Sequence, residues 1–156
     1  MSKTLIIYNY FQRSSTVDYF MNYAVSEEDN IDYAFVVNDP DEENKEHRAK
    51  DPFNLNLPNV NFYHRENKGK DFGAYSYLLN LLKTEGALDQ YDYFVFVNQT
   101  MIGPFFPMWY KEEKHWSSIF TEMIDEEIKL VGPTINCHFM SNESYMPHVQ
   151  SMFFAT

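Results

Sequence analysis

Hydrophobic positions along this chain follow two patterns, continuous apolar runs and runs with helical spacing. The continuous runs cover residues 4–10, 31–37, 60–64 and 91–97 and are rich in β-branched and aromatic residues. Such runs are typical of strands buried on both faces. Helical spacing predicts a helix that opens at Ser15 and a second one over 72–82. The residues expected on the inward faces are Val17, Phe20, Met21, Ala24 and Val25 in the first helix and Phe72, Tyr75, Leu78, Leu79 and Leu82 in the second.

Shorter patterns follow in the second half of the chain. Ser117 or Ser118 is expected to open a third helix. Short apolar runs at 128–131 and 149–155 predict a fifth and a sixth strand. The residues expected on the inward face of the third helix are Ile119, Phe120, Met123 and Ile124.

Strands and helices that alternate in this order predict an α/β fold, with a mostly parallel central sheet of about six strands flanked by helices. No repeat or linker divides residues 1–156, so we expect a single domain. Right-handed crossovers bring the carboxyl ends of parallel strands to one edge of the sheet. Open α/β sheets bind their ligands along that edge. Here the edge receives segments 9–13, 38–41, 65–71 and 98–103.

The segment 65–71 joins the third strand to the second helix and is the first candidate site. Gly69 allows a tight turn and close approach of a ligand, and Lys70 or Arg65 can meet a diphosphate. Asp71, at the helix start, can accept hydrogen bonds from sugar or ribose hydroxyls. An equally good interpretation is a plain helix start, in which Asp71 favours the helix dipole and Gly69 only turns the chain.

Two other strand ends carry polar residues. Asn98 and Thr100 follow an apolar strand, where a buried amide needs a partner because leaving it unpaired costs about 1–3 kcal/mol. Both can face a ligand, or Asn98 can bond the local backbone of a turn. Asp39 and Asp41 can hold a divalent cation or the base and ribose of a nucleotide. A polar turn is the simpler interpretation of Asp41.

Composition and charge exclude several classes of function. The net charge of -11 argues against a general nucleic-acid binder. No apolar run reaches the roughly 18 residues of a membrane span. The N-terminus lacks a signal-peptide pattern and the single cysteine, Cys137, fits a reducing compartment, so we expect a cytoplasmic protein. The histidines show no metal-binding spacing. On the acceptor side of a site, the candidates are Trp109, His148 and Gln150.

Four segments together resemble a known family. They are 66–75 (ENKGKDFGAY), 96–105 (FVNQTMIGPF), 130–137 (LVGPTINC) and 147–156 (PHVQSMFFAT). Their combination resembles GT-A-fold (Rossmann-like) glycosyltransferases, and more narrowly the polysaccharide-building enzymes related to rhamnan-synthesis proteins. The resemblance covers most of the chain from residue 60 onward. Similar domains occur in bacteria and in large DNA viruses of algae, and we expect a virus-encoded member of the chlorella-virus type.

The resemblance implies roles for residues at the edge of the sheet. Residues 8–10 and Asp39 would hold the nucleoside, and Lys70 and Asp71 would meet the diphosphate or sugar. Asn98 and Thr100 stand where many such enzymes carry Asp-x-Asp for a divalent metal, and neither is a carboxylate. A cation, Mn²⁺ or Mg²⁺, would therefore take most of its ligands from the diphosphate. The full set of expected donor contacts is Tyr8, Asn9, Tyr10, Arg13, Asp39, Arg65, Asn67, Gly69, Lys70, Asp71, Asn98 and Thr100.

The resemblance implies a hexosyltransferase-type glycosyltransferase, which would move a sugar from a nucleotide diphosphate such as UDP-glucose onto a glycan or glycoprotein. Asp71 is the motif carboxylate expected in the catalytic centre, in contact with the donor sugar. The family usually has a longer acceptor half, so we expect this chain to be the donor-binding part of a longer protein. Two alternatives stay open, a non-catalytic domain that binds nucleotide sugars or glycans, and another α/β transferase that uses a nucleotide.

Overall fold

The computed structural model describes residues 2–39, 53, 55–106, 114–136, 139–140, 144–145 and 147–156. Three residues considered above, Asp41, Trp109 and Cys137, lie outside these ranges. Among the described residues, none of the helices has the length and apolar character that a membrane span requires.

Four strands and two helices form the first two thirds of the fold. The strands are β1 (Thr4–Tyr10), β2 (Ile31–Asp39), β3 (Val60–Glu66) and β4 (Tyr93–Asn98). Helix α1 (Ser15–Tyr23) follows β1, and helix α2 (Lys70–Thr84) connects β3 to β4. The later elements are short: α3 (Ser118–Thr121), β5 (Ile135–Asn136), β6 (Phe139–Met140), β7 (Ser144–Tyr145), β8 (His148–Val149) and β9 (Phe153–Ala155).

The central sheet has the strand order β3-β2-β1-β4-β9. Its first four strands are parallel, and β9 pairs antiparallel with β4. The expected α/β fold with a mostly parallel sheet is therefore confirmed, although the sheet has five strands among the described residues rather than about six. That residues 1–156 form a single domain stays a prediction.

The strand order reverses at β1, because β2 and β3 lie on one side of it and β4 on the other. Such a reversal is a topological switch point. In open α/β sheets a ligand crevice forms there, outside the carboxyl ends of the strands. In this chain the switch point lies beyond Asn9 of β1 and Asn98 of β4, which are aligned in the register.

Helices α1 and α2 cover opposite faces of the sheet, each over its own hydrophobic core. Successive side chains of a strand alternate between the faces, so the even-numbered residues of β1 pack on the α1 side and the odd-numbered ones on the α2 side. The α1 core includes Ile6, Tyr8, Val17, Phe20, Phe35, Val95 and Phe153. The α2 core includes Leu5, Ile7, Val36, Ala74, Tyr75, Leu78, Leu82 and Phe96.

The first two predicted helices are present, and α1 begins at Ser15 as predicted. Ser14, one residue before the predicted start, caps α1 by accepting a hydrogen bond from the Val17 amide at 3.3 Å. Helix α2 begins earlier than expected, at Lys70, because Gly69 adopts a left-handed conformation with φ of 74° and serves as the cap. It also extends two residues beyond Leu82, to Thr84.

The expected inward position of Phe72 is wrong, since its side chain is 65 % exposed. The buried residues of α2 are Ala74, Tyr75, Leu78 and Leu82. Counted back along that stripe with helical spacing, the inward residue of the first turn is Asp71, and Phe72 lies about 100° away from it. The charged residue Asp71 thus occupies the inward position, although hydrophobicity predicted its aromatic neighbour Phe72 there.

The second half of the chain departs most from prediction. Helix α3 has a single turn, and Ile119 and Met123 are exposed rather than inward, whereas Phe120 and Ile124 pack against the core. The expected strand over 128–131 is wrong, because the bridge from Val131 to Ala155 is its one pairing. The run 149–155 divides between β8, which pairs with β5, and β9 in the central sheet.

Candidate active site at the carboxyl edge of the sheet

Three adjacent parallel strands carry asparagines that share the α2 face near their carboxyl ends. Asn38 lies on β2, Asn9 on β1 and Asn98 on β4, and each is at most 8 % exposed. The Asn38 amide nitrogen donates to Asn9 Oδ1 and, at 3.0 Å, to the carbonyl oxygen of Tyr10. These three asparagines, the asparagine row, form the floor of the crevice at the switch point.

Asp71 reaches this row from the first turn of α2. Its Oδ1 accepts a hydrogen bond from Asn9 Nδ2 at 2.7 Å, and its Oδ2 accepts from Asn98 Nδ2 at 2.8 Å and from Ser151 Oγ at 3.0 Å. A carboxylate has about four accepting positions, two on each oxygen. Three are occupied here, and the fourth, on Oδ1, can accept from a ligand. The three donors are neutral, so they fix the orientation of the carboxylate without cancelling its charge.

The loop before α2 orients the Asp71 side chain towards the carboxyl ends of the strands. Gly69 and Lys70 both have positive φ, 74° and 52°, which folds the loop back over the helix. A Cβ atom on Gly73 would overlap the carbonyl oxygen of Lys68, so loop and helix meet at van der Waals distance only because residue 73 is glycine. Asp71 makes no capping bond to its own helix. A plain helix start therefore does not account for its three tertiary hydrogen bonds.

The turn after β4 is closed by its own side chains. Asn98 Oδ1 accepts from the Thr100 amide at 3.0 Å and from Thr100 Oγ1 at 2.6 Å. Gln99 Oε1 accepts from the amides of Phe11 and Gln12 at 2.6 and 3.0 Å. Asn98 therefore bonds the local turn through its oxygen, as one interpretation of the sequence expected, and Asp71 through its nitrogen. Its contact with a ligand stays a prediction.

Two basic residues lie in or beside the loop that leads to Asp71. Lys70 is exposed, and its ammonium group has no ion pair or hydrogen bond within the described part of the chain. Arg65 is aligned with Asn38 in the register, donates to the Lys68 carbonyl oxygen and lies 5.8 Å from the centre of the Tyr77 ring. Burial lowers the pKa of the Arg65 guanidinium, and the nearby charges oppose this shift. Asn67 and Gly69 are exposed between the two.

Three predicted donor contacts lie on the α1 side of the sheet. Tyr8 is fully buried against Phe20 and Phe35, and burial raises the pKa of its phenol. As an even-numbered residue of β1 it points into the α1 core, and its role as a donor contact stays a prediction. Tyr10 is almost buried, and Asp39 Oδ2 lies 3.4 Å from His64 Nδ1. A nucleoside would have to approach Tyr10 and Asp39 from beyond the strand ends.

The remaining predicted contacts lie apart from Asp71. Arg13 is exposed in the loop after β1, where its Nε is 3.0 Å from Asp18 Oδ1. Thr100 is exposed beside Asn98. His148 is exposed on β8, and the partly buried Gln150 precedes Ser151, the residue that bonds Asp71.

Sequence reasoning missed Asn38 and Ser151 as members of this network. For Asn38 a signal existed, because alternation places it on the same face as Ala34 and Val36, as it places Asn9 with Leu5 and Ile7. Ser151 carries no comparable signal. It reaches Asp71 across 80 positions of the chain, which no local pattern predicts.

A sequence model of rhamnan synthesis protein F (RgpF) matches residues 34–156. The chain belongs to the rhamnan synthesis protein F family. The relation to rhamnan-synthesis proteins that the four segments implied is thereby confirmed, and the viral source stays a prediction. No curated protein and no solved structure matches the chain. The part that matches RgpF begins within β2 and includes Asn38, Asp71, Asn98 and Ser151.

The residues of this RgpF-family chain do not fit a divalent cation at the place of Asp-x-Asp. Mn²⁺ and Mg²⁺ favour about six oxygen ligands. Both lone pairs of Asn98 Oδ1 and of Gln99 Oε1 already accept hydrogen bonds, and Asp71 has one accepting position left. Across the described ranges, no three His, Cys, Asp or Glu side chains gather as metal ligands.

Three cavities of this RgpF-family chain lie elsewhere. One of about 590 Å³ is almost entirely apolar and opens on the α1 side, lined in part by Phe20, Val97 and Phe153. Two others, of about 300 and 400 Å³, share Glu28, Lys114 and His115 near the amino ends of the strands. None of the three includes Asp71 or Asn98. We assign the candidate site to the carboxyl edge because a charged group with an open accepting position lies there at the switch point.

Proposed function

We propose that this chain is the donor-binding domain of a GT-A-like glycosyltransferase. It would move a hexose-type sugar from a nucleotide diphosphate, UDP in our proposal, onto a glycan during polysaccharide synthesis. Membership of the rhamnan synthesis protein F family supports the polysaccharide. The proposal is carried by the anchoring of Asp71 between β1 and β4, where open α/β sheets bind nucleotides.

Asp71 is proposed to contact the donor sugar. Its one open accepting position can take a single hydroxyl hydrogen bond, and Asn9, Asn98 and Ser151 hold the carboxylate still while it does so. Preorganisation of this kind positions a reacting group without a reorganisation cost at the moment of reaction.

The exposed loop 65–70 is proposed to meet the diphosphate. Arg65 and Lys70 bring positive charge beside Asp71, and the exposed backbone of Asn67 and Gly69 is accessible to phosphate oxygens. Thr100 offers a hydroxyl next to Asn98, to which it donates a hydrogen bond.

The nucleoside is proposed to lie beyond β1 and β2, against Tyr10 and Asp39, with Arg13 at the rim. Tyr10 and Asp39 are buried and end their strands at the carboxyl edge. Asn38 donates to the Tyr10 carbonyl oxygen and to Asn9, which links this end of the strands to the asparagine row. An acceptor glycan is proposed to approach from the side of His148 and Gln150, because Ser151, which follows them, touches Asp71. Trp109, which lies outside the described residues, stays a predicted acceptor-side contact.

A non-catalytic domain that binds nucleotide sugars is the second candidate. The observation that favours it is the engagement of Asp71 by three donors, which hold the carboxylate in place as a binding group with one accepting position left. Turnover distinguishes the candidates: the enzyme transfers or hydrolyses the donor, whereas a binding domain does not.

The test is a thermal-shift screen against UDP-, GDP- and dTDP-linked sugars. A ligand at 100 times its Kd adds about 2.7 kcal/mol to the folded state, which for a chain of this size raises Tm by about 5 °C or more. We expect this shift with a UDP-linked sugar. In the Asp71→Asn variant the side chain keeps its shape but loses its charge, and we expect the shift to disappear.

Asp89→Asn is the matched control, because Asp89 is exposed on the 3₁₀ turn at Leu88–Gln90. It should bind the donor as the unmodified chain does. No shift with any nucleotide sugar would contradict the proposal. A shift without transfer or hydrolysis, over a range of glycan acceptors, would favour the binding domain, and turnover of nucleoside triphosphates would favour another class of transferase.

A further inference from the structure

We infer that this site binds its nucleotide-sugar donor without a divalent cation, and that Lys70 supplies the positive charge opposite the leaving diphosphate. The inference rests on the proposed function, and it adds the means by which the diphosphate is neutralised. It follows from the hydrogen bonds of residues 98–100 and from the charges of the loop 65–70.

The hydrogen bonds around Asn98 require an amide at this position. Its nitrogen donates to Asp71 Oδ2 at 2.8 Å while its oxygen accepts twice from Thr100. If the amide rotated to offer its oxygen to a cation, that oxygen would face the Asp71 carboxylate, and the two bonds from Thr100 would be lost. A carboxylate at position 98 would bring two negative groups to hydrogen-bond distance, which is unfavourable without a shared proton or cation.

The neighbouring positions offer little more to a metal ion. The side-chain oxygen of Gln99 is saturated by the amides of Phe11 and Gln12. Among the side chains of 98–100 and Asp71, the oxygens still able to coordinate are one position on Asp71 Oδ1 and the hydroxyl of Thr100. With two side-chain ligands, a cation would depend on the diphosphate and water for the rest of the roughly six oxygens that Mn²⁺ or Mg²⁺ requires. The turn is therefore built to anchor Asp71 and not to hold a cation.

A leaving diphosphate still needs positive charge, because negative charge develops on it as the glycosidic bond breaks. Of the basic residues in 65–70, Arg65 is engaged by the Lys68 carbonyl and the Tyr77 ring, and Lys68 forms an ion pair with Glu66 at 2.7 Å. Lys70 is exposed, adjacent to Asp71 in sequence, and without an ion pair in the described part of the chain. A lysine ammonium is a point charge on a flexible stem that can follow a phosphate.

The first test measures the affinity for UDP-glucose and for UDP by calorimetry, once with excess EDTA and once with excess Mn²⁺. We expect the two values of Kd to agree within about threefold, which is less than 1 kcal/mol. Binding that is more than about tenfold tighter with Mn²⁺ would overturn the inference and leave the proposed function standing. No binding under either condition would reject both.

The second test compares two lysines of the same helix. Lys70 opens α2 and Lys83 lies in its last turn, and both are exposed. We expect Lys70→Met to weaken UDP binding in EDTA by about tenfold or more, since one unscreened charge contact is worth about 1.4 kcal/mol or more. Lys83→Met should change it by less than about twofold. Equal affinity in both variants would overturn the assignment of Lys70.

The third test uses Mn²⁺ alone, followed by electron paramagnetic resonance of the free ion. We expect Mn²⁺ to stay free in solution, because one carboxylate and one hydroxyl are too few ligands to retain it. Stoichiometric binding of Mn²⁺ at micromolar concentration, abolished by Asp71→Asn and not by Asp89→Asn, would overturn the inference without reference to any nucleotide.

Discussion

The two edges of the central sheet each hold a buried polar cluster, and the clusters differ in what they leave open. At the carboxyl edge, Asp71 keeps its charge and one accepting position. At the amino edge, His115 Nε2 lies 2.8 Å from the Tyr33 hydroxyl and its Nδ1 lies 2.8 Å from Ser117 Oγ. The Tyr33 hydroxyl and the Trp116 indole both donate to the carbonyl oxygen of Ala24 at 2.8 Å.

The amino-edge cluster has one consistent assignment of protons. Because the Tyr33 hydroxyl donates to Ala24, it accepts from His115, so the ring carries its proton on Nε2. Nδ1 then accepts from the hydroxyl and the amide of Ser117. Burial lowers the pKa of His115, against the opposing charge of Glu28, and keeps the ring neutral. Every polar group is used within the protein, and the cluster ties α1, β2 and the segment before α3 together.

The difference teaches how to recognise a site among buried polar groups. Hydrogen bonds alone do not mark function, since both clusters are well bonded. In the amino-edge cluster the titratable group, His115, is neutral, and the polar groups bond one another. Such an arrangement serves the stability of the fold. The carboxyl-edge cluster holds an ionised group with neutral donors at a switch point and leaves part of it unused, which suits a ligand. Mutations at the two edges should therefore separate stability from binding.

The largest effect is expected for Asp71→Ala. The change leaves the donors of Asn9, Asn98 and Ser151 without their shared acceptor, so we expect a loss of about 3 kcal/mol in the free energy of unfolding. Donor binding should fall more than about 100-fold, because the sugar contact is removed as well. Urea unfolding followed by tryptophan fluorescence, together with calorimetric titration, measures both quantities.

Asp89→Ala is the control, and we expect it to stay within about 0.5 kcal/mol, as exposed substitutions usually do. If Asp71→Ala were as stable as this control and still bound the donor, the carboxyl edge would be no different from the rest of the surface, and the comparison between the edges would fail.

The next largest effect is expected for Gly73→Ala, which changes the orientation of the Asp71 side chain and leaves its carboxylate group intact. Alanine normally favours a helix interior over glycine by about 1 kcal/mol. Here the added methyl group overlaps the Lys68 carbonyl oxygen, so we expect a net loss of about 2 kcal/mol. Because the first turn of α2 must shift, donor affinity should fall as well. Thermal unfolding and donor titration measure the two effects.

Gly86→Ala separates this overlap from the ordinary consequences of replacing a glycine. Gly86 has φ of 69°, and a Cβ there would meet no atom within 4 Å. We expect it to cost about 1 kcal/mol through backbone strain and to leave donor affinity unchanged. Equal donor affinity in Gly73→Ala and Gly86→Ala would refute the role given to the loop.

Much of the fold could be predicted because the parallel strands read as apolar runs, and β1 and β2 are buried on both faces. The short segments of the second half of the chain could not be predicted as well. Strand β9 has three residues and belongs to the sheet only through its partner β4. The run 128–131 has the same composition as a strand but remains largely exposed, since Val131 alone finds a partner. Short strands depend on distant partners, which a local pattern does not contain.

The candidate site was predictable to the extent that it depends on position along strands. Asn9, Asn98 and Asp71 meet because parallel strands end at one edge. Alternation along β1 also places Tyr8 on the α1 side of the sheet, together with Ile6 and Tyr10. The inward orientation of Asp71 was not predicted, because hydrophobicity favours its neighbour Phe72 at the inward position. Three hydrogen bonds offset the cost of turning a carboxylate toward the sheet, and they come from residues far apart in the chain.

At the amino edge, Tyr33→Phe should affect stability alone. Loss of the hydroxyl leaves the Ala24 carbonyl with one donor fewer and the His115 Nε2–H without its acceptor. We expect a loss of about 1.5 kcal/mol in the free energy of unfolding. Donor affinity should match that of the unmodified chain, because no member of this cluster touches the asparagine row. A parallel loss of donor binding would show that the two edges are coupled and would remove the distinction drawn here.

The smallest effect is expected in the pH dependence of stability. The pKa of His115 lies below the ordinary value of 6.5 in the folded chain. Between that lowered pKa and 6.5 the unfolded chain binds more protons than the folded one, so stability rises with pH in this window. The contribution is complete above 6.5 and is lost as the pH falls towards the folded pKa. His115→Gln keeps a hydrogen-bonding side chain without a titrating group, and urea unfolding between about pH 5 and 8 should give a shallower slope than in the unmodified chain. An unchanged slope would mean that His115 is not held neutral by the fold, and the amino-edge cluster would then contain a charged group as the carboxyl edge does.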